Sequence, residues 1–175
     1  DAVENAGLMP WLVATALLHG LRLHGQRAGF RLLNIGLAAL AYGLVILGSL
    51  TTRSGWVDSV HAFTHSALGL PYLAFLLLVV TVPLGLIVRC RRRWPDAMAG
   101  PLLAGRLFSA EGAALLTIEL LLTTTASVLV GTVLPTFTGL LSGRRLEVGP
   151  AWFDRVTGPQ FALLVVLMGV CPLIG

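Results

Sequence analysis

The sequence predicts an all-α protein, a polytopic transmembrane bundle of about five helices with a short amphipathic helix at the outer membrane face. Hydrophobic residues make up 56% of the chain, and charged residues make up 11%, against about 25% in an ordinary soluble domain. So few charges cannot cover the water-exposed surface of a globule, which excludes a cytosolic enzyme, a disordered tail and a secreted disulfide scaffold. Five apolar stretches also approach the ~20 residues that cross ~30 Å of hydrocarbon.

These stretches cover residues 6–21, 32–50, 71–88, 112–134 and 159–175. Glu4 and Asn5 can cap the first helix, and Pro10 falls in its first turns, where a missing N–H matters least. The last stretch runs to the end of the sequence, and we expect that helix to be truncated. Because no stretch alternates polar and apolar residues, a β-barrel is disfavoured.

The arginines predict the orientation. All 12 basic residues are Arg, and eight of them lie between the first and second or the third and fourth stretches. These are Arg22, Arg27, Arg31, Arg89, Arg91, Arg92, Arg93 and Arg106. The positive-inside rule places them in the cytoplasm, so the N-terminus and residues 51–70 and 135–158 are expected outside. Since topology accounts for the basic residues, we expect membrane lipid, and no nucleic acid, as a partner.

His19 lies near the inner end of the first stretch, among apolar residues. An imidazole in hydrocarbon is unfavourable unless it is hydrogen-bonded or coordinated. Neutral imidazole is also a common axial ligand of haem iron. Both readings, a haem ligand and a histidine bonded to a neighbouring helix, stay open at this point. His24, beside Arg22 and Arg27, is expected to be exposed at the membrane boundary.

The outer segment 51–70 carries a second group of candidate ligands. Apolar residues at spacings of three and four predict a short helix along the outer membrane face. His61 and His65 share one side of that helix and could chelate zinc, although a third ligand is lacking. A porphyrin is the other reading, with His61 on iron, Arg53 on a propionate and Trp56 on the ring. Ordinary surface histidines are the alternative.

Glu119 is the most unusual polar residue of the fourth stretch. An ionised carboxylate at that depth is unfavourable by several kcal/mol, so we expect it to face the bundle interior, paired or protonated. It could relay protons, but hydrogen bonding to Thr117, Thr123 or a neighbouring helix is the favoured reading.

Two further residue types have structural interpretations. Cys90 and Cys171 are far apart in sequence and form no CxxC pair, so we interpret them as structural thiols. Trp152 is expected to anchor the chain at a membrane boundary.

Three groups of motifs resemble a known family. The first is DAVENAGLMPWL with TALLH, residues 1–12 and 15–19, which is similar to WDPVENASxxPWL and TALxHS. The second is LTTRSG with SVHAF, within residues 50–63, similar to LTRSGVLxSVHAF. Shorter matches follow in order at 111–113, 131–135, 148–155 and 168–172. Together they resemble the CcmF/NrfE family of haem-handling proteins of cytochrome c maturation, whose WWD motif is rich in tryptophan.

The resemblance implies specific roles for these residues. His19 would ligate a resident haem b in the membrane, with the second axial ligand outside this chain. His61 would be an axial ligand to the haem being delivered. Residues 1–12, including Trp11, would be a remnant of the WWD loop that forms the haem platform. Residues 51–70 would be the outer, periplasmic haem-ligand loop.

The resemblance also implies an activity and partners. Such a protein receives haem from the chaperone CcmE at the outer face of the bacterial inner membrane. With CcmH it attaches this haem to the CxxCH motif of apocytochrome c, as part of a haem lyase. Residues 1–175 would form one membrane domain, a fragment or split subunit of a larger assembly protein that is inactive in isolation.

Two other classes of protein remain open on the residues alone. A haem b-bearing electron-transfer subunit would bind haem without lyase activity, and normally has both ligands of each haem on transmembrane helices. A structural or transporter subunit would use its histidines only for hydrogen bonds.

Overall fold

The computed structural model describes residues 1–24, 30–53, 69–91, 109–144 and 146–174, which form five α-helices. They are α1 (Ala2–His24), α2 (Phe30–Arg53), α3 (Gly69–Arg91), α4 (Ala110–Ser142) and α5 (Pro150–Ile174). Each is long and apolar enough to cross a membrane. The all-α, five-helix expectation is therefore confirmed.

The start of α1 differs from the expected one. The helix begins at Ala2, because the Asp1 carboxylate accepts hydrogen bonds from the backbone N–H groups of Val3 (2.8 Å) and Glu4 (3.1 Å). Asp1 is thus the N-cap, and the assignment of this role to Glu4 and Asn5 is wrong. Pro10 consequently lies inside the helix rather than in its first turn.

The two C-terminal helices are longer than expected. α4 continues through Pro135 to Ser142, and α5 already begins at Pro150. The Thr138 hydroxyl bonds to the carbonyls of Leu134 (3.0 Å) and Pro135 (3.1 Å). The segment between the helices is therefore much shorter than the expected loop over 135–158.

The helices pack side by side in the order α3, α2, α1, α4, α5. Within the described ranges, packing joins α1 to α2 and α4, α2 to α3, and α4 to α5. α3 and α4, although consecutive in sequence, are separated by two helices. α1 is thus the central helix of the row.

Interhelical contacts show that α1 is antiparallel to both neighbours. Near the start of α1, Asn5 donates a hydrogen bond to the Thr132 hydroxyl in the second half of α4 (3.1 Å). Near its end, Gly20 is bonded to Asn34, early in α2. Along the helix axes, one end of the bundle therefore holds the start of α1 and the ends of α2 and α4. We call it the Asp1 end.

The core lies where α1 packs against its two neighbours. Its fully buried side chains come largely from α1, and partners from α2, α4 and α5 complete it. The apolar members are Ala6, Met9, Leu12, Val13, Ala16, Leu37, Leu44, Ile118, Leu121, Val128 and Leu164. By contrast, only 6% of the α3 span and 11% of the α5 span are buried. Most of the surface of the two outer helices is therefore not covered by other described residues.

Candidate functional site

His19 lies in the last third of α1, half-buried, with its imidazole held by its own helix. Its Nδ1 atom is 2.8 Å from the backbone carbonyl oxygen of Thr15. A carbonyl can only accept, so Nδ1 carries the proton, and Nε2 of the neutral ring keeps its lone pair. This is the tautomer that a metal-ligating histidine needs, with its other ring nitrogen fixed by a hydrogen bond.

Two local hydrogen bonds run along this side of α1, from Trp11 through Thr15 to His19. The Thr15 hydroxyl donates to the carbonyl of Trp11 (2.9 Å), and the Thr15 carbonyl accepts from His19. The Trp11 ring itself is 61% exposed, on a face that no described helix covers. The family resemblance implied that residues 1–12 are the remnant of a loop. In the structure, residues 2–12 are helical and form the first half of α1.

Arg53 lies far from His19 along the helix axes, at the Asp1 end of the bundle. It ends α2 and is exposed, whereas Asn34, at the level of Gly20 beside His19, lies 19 residues earlier in the same helix. At 1.5 Å per residue this separation is roughly 28 Å, close to the hydrocarbon thickness. The candidate residues therefore occupy two depths.

Sequence reasoning missed the contact between Asn34 and Gly20. Asn34 is 6% exposed, and its Nδ2 donates to the Gly20 carbonyl at 3.0 Å. A lone asparagine inside the apolar second stretch, and a glycine directly after the candidate ligand, were the available signals. The sequence could not show that these two residues meet.

A groove at the Asp1 end brings together several of the motifs that carried the family resemblance. It has a volume of about 730 Å³ and is formed by the start of α1, the C-terminal third of α4, the 146–149 segment and the start of α5. Its lining includes Asp1, Asn5, Thr132, Pro135, Val148 and Phe153. Motifs more than 100 residues apart in sequence therefore meet at one surface.

Close packing of α4 against α5 forms one wall of this groove. A Cβ atom on Gly131 would lie 2.5 Å from the Trp152 ring and 2.8 Å from the Phe153 ring. The two rings are themselves in edge-to-face contact, with centroids 5.1 Å apart. Trp152 is thus half-buried against α4, in addition to the membrane-boundary position expected for it.

Carboxylates give the groove a negative character. Asp1, Glu147 and Asp154 contribute to its lining, together with hydroxyl and amide groups. No histidine is among the described residues that line the groove.

Glu119 does not face the bundle interior as expected. It is exposed on α4, and its backbone carbonyl, rather than its carboxylate, accepts the Thr123 hydroxyl at 2.8 Å. The Thr117 hydroxyl likewise bonds to the Ala113 carbonyl (2.8 Å). Threonines in a helix readily bond back to the preceding turn, which removes them as partners for the glutamate.

Several predicted site residues lie outside the described part of the chain. They are His61, His65 and Trp56, together with the amphipathic helix expected within 51–70. The side chains of His24 and Cys171 are also outside it, whereas Cys90 is a half-buried free thiol. Among the described residues, no group of three His, Cys, Asp or Glu side chains could hold a metal ion.

Fold and site together define a multi-pass, all-helical membrane protein with an oriented imidazole in its central helix. No family model matches the chain. It is 37% identical to the cytochrome c-type biogenesis protein CcmF of Pseudomonas fluorescens over 171 residues, 97% of this chain and 25% of that protein. It is 39% identical to the probable cytochrome c-type biogenesis protein NrfE of Escherichia coli, over 96% of this chain and 30% of that protein.

A solved structure shows the same relationship. The cytochrome c haem lyase CcmF superposes with a TM-score of 0.68 and 30% identity, over 99% of this chain and 23% of that one. Over nearly its whole length, the chain is therefore homologous to one region of the CcmF and NrfE proteins and shares their membrane fold. It spans about a quarter of the length of these relatives.

Proposed function

We propose that this chain is part of the membrane machinery that matures c-type cytochromes, and that α1 holds a resident haem b through His19. The observation that carries the proposal is the Nδ1 hydrogen bond to the Thr15 carbonyl, which leaves Nε2 available to iron. The donor set fits a haem, since one neutral imidazole is half of a bis-histidine pair. The second axial ligand comes from outside this chain.

Names of the homologous proteins support the same process. The Pseudomonas fluorescens and Escherichia coli relatives are named for cytochrome c-type biogenesis, and the structural relative is named as a haem lyase. Because this chain spans about a quarter of them, the activity belongs to a larger assembly to which it contributes one domain.

We propose a second site, which binds the haem being delivered. His61 is its axial ligand, Arg53 binds a propionate, and Trp11 and Trp56 contact the ring. This assignment follows the family resemblance, and the exposed position of Arg53, roughly 28 Å from the level of His19, supports it. Two haems at different depths would then have separate tasks, one resident and one in transit.

The proposed reaction is covalent attachment of the delivered haem to the CxxCH motif of apocytochrome c. Each cysteine S–H adds across a haem vinyl group, which requires reduced thiols and reduced iron but no nucleophile from this chain. The resident haem, when bound, supplies electron transfer to the delivered one. CcmE as haem donor and CcmH as partner in the attachment complete the proposed assembly.

We propose a bacterial inner-membrane location with the Asp1 end in the periplasm. Arg22, Arg27 and Arg31 mark the opposite end of α1 and the start of α2 as cytoplasmic. The antiparallel packing of α1 with α2 and α4 supports this assignment, because it places the starts or ends of the three expected outer segments at the Asp1 end.

A reduced-minus-oxidised absorption spectrum tests the proposal. The protein would be purified from its own membranes with its copurifying partners, as wild type, His19→Ala, His61→Ala and the control Leu18→Ala. Leu18 precedes His19 and is 67% exposed, so its loss changes the surface but no ligand. We expect the b-type spectrum to disappear only in His19→Ala, and His61→Ala to keep it while failing to produce holocytochrome c.

Other outcomes favour the other classes of protein. A haem spectrum with normal cytochrome c maturation in His61→Ala would support an electron-transfer subunit. A wild-type preparation without haem would support a structural or transport subunit.

A further inference from the structure

We propose that Asn34 and Gly20 form a positioning pair that fixes the His19 imidazole for its ligand. The inference rests on the proposed haem b site and concerns how α2 holds the end of α1. The pair does not touch the iron, and it acts through the backbone next to His19.

The first observation is the hydrogen bond itself. Asn34 is 6% exposed, and its Nδ2 donates to the carbonyl of Gly20 at 3.0 Å. Gly20 directly follows His19, so this bond joins α1 to α2 beside the candidate ligand. It also lies directly before the last turn of α1, whose carbonyls lack helical N–H partners.

The second observation is the close approach of the Asn34 side chain. A Cβ atom on residue 20 would lie 2.1 Å from Asn34 Oδ1 and 3.3 Å from Asn34 Cγ. Only glycine leaves room for this amide, which rests directly on the α1 backbone. The two residues therefore fit each other and cannot be exchanged independently.

The third observation is the state of the Asn34 oxygen. Oδ1 is buried and has no hydrogen-bond partner in the described part of the chain. A buried amide group without a full set of partners is costly in an apolar environment. The bond to Gly20 offsets only part of this cost, because it is made by Nδ2 and not by Oδ1.

Two contacts therefore act on residue 19 and its neighbour, one on the ring and one on the backbone. The Thr15 carbonyl, one turn before it, binds Nδ1, and Asn34 holds the residue after it. Since successive helical residues are rotated by about 100°, a small change of helical twist at residues 19 and 20 would swing Nε2 away from iron. Groups that support a ligand in this way typically change metal affinity by 10–100-fold when removed.

The test uses the purified membrane complex and two readouts, the rate of haem loss and the rate of CO binding to the reduced protein. A firmly held axial histidine excludes CO, whereas a loosely held one allows it to bind. In Asn34→Leu we expect haem loss and CO binding to be faster by roughly 10–100-fold, the range for lost ligand support.

Gln160→Leu is the matched control. Gln160 also carries an amide whose Nε2 bonds to another helix, at 3.0 Å from the Ser127 hydroxyl, and whose Oε1 lacks a partner in the described structure. It joins α5 to α4 and does not touch α1. We expect it to leave both rates unchanged, and equal changes in the two variants would overturn the proposal.

Gly20→Ala provides a second route to the same conclusion, because it displaces the amide without deleting it. We expect it to reproduce the Asn34→Leu rates. The double variant Gly20→Ala/Asn34→Ala should behave like Asn34→Ala alone, because the clashing oxygen is gone. Wild-type rates in Asn34→Leu and Gly20→Ala would overturn the positioning role, whereas absence of haem from the wild type would overturn the haem site itself.

Discussion

The Nδ1 atom of His19 and the carbonyl oxygen of Thr15 are 2.8 Å apart, one turn from each other on the central helix. This contact fixes which ring nitrogen carries the proton and leaves the other as a donor atom toward the membrane-embedded surroundings. The helix that provides it packs between α2 and α4 and contributes several fully buried side chains to the core, so the imidazole stands on a well-packed support.

Exogenous imidazole should restore the haem in a His19→Gly variant. The substitution removes the ligand and leaves space for a free imidazole to take its place on iron. We expect the b-type spectrum to be absent without imidazole and to return when imidazole is added during purification.

Leu18→Gly is the control for helix weakening, since each glycine costs about 1 kcal/mol of helix stability. It should keep the wild-type spectrum without any addition. If imidazole does not restore haem to His19→Gly, or if Leu18→Gly loses it as well, His19 is not the ligand.

Gly131→Ala should weaken the packing of α4 on α5. The new methyl group would lie 2.5 Å from the Trp152 ring, and overpacking of this kind costs roughly 1–3 kcal/mol. We expect a lower midpoint of thermal unfolding in detergent.

Gly158→Ala, on α5, is the comparison for Gly131→Ala. A Cβ atom at residue 158 meets nothing within 4 Å, so its gain in helix propensity should raise the midpoint slightly. Equal midpoints in the two variants would contradict the packing of Gly131 against the aromatic pair.

The hydrogen bond between Asn5 and Thr132 should contribute modestly to stability. Its length is 3.1 Å, and interhelical hydrogen bonds in membrane proteins average about 0.6 kcal/mol. A double-mutant cycle with Asn5→Ala and Thr132→Ala measures this coupling. A coupling energy of zero would show that α1 and α4 are joined by apolar packing alone.

Trp11→Ala should leave the fold intact while reducing maturation of cytochrome c. The ring is 61% exposed, so its removal should change the free energy of unfolding by no more than about 0.5 kcal/mol. We expect an unchanged unfolding midpoint and an unchanged b-type spectrum, with several-fold less holocytochrome c on a haem-stained gel.

Leu18→Ala removes another exposed side chain from α1 and should not lower the holocytochrome yield. Normal maturation in Trp11→Ala would remove this residue from the proposed haem platform.

Much of the fold could be predicted, because membrane spans are determined by hydrophobic length. The limits of the helices could not, as Pro135 shows. A proline usually ends or kinks a helix, because it lacks the N–H that would bond to the carbonyl four residues earlier, but α4 continues through Pro135 to Ser142.

The candidate site divides in the same way. His19 could be recognised by its chemistry, as an imidazole in an apolar stretch. Asn34 and Gly20 could not be paired, because their contact depends on the register of α1 against α2. Glu119 was misjudged because its orientation depends on which faces of α4 the neighbouring helices cover.

The central place of α1 in the row also sets an order of assembly in time. Residues 25–109 separate the end of α1 from the start of α4. At about 5–20 residues per second, a ribosome needs roughly 4–17 s to make them. Once α2 (Phe30–Arg53) has been made, the helix bearing His19 can pack against α2 while α4 is still missing. The α1–α2 pair, including the Asn34 contact, can therefore form before the later helices are available.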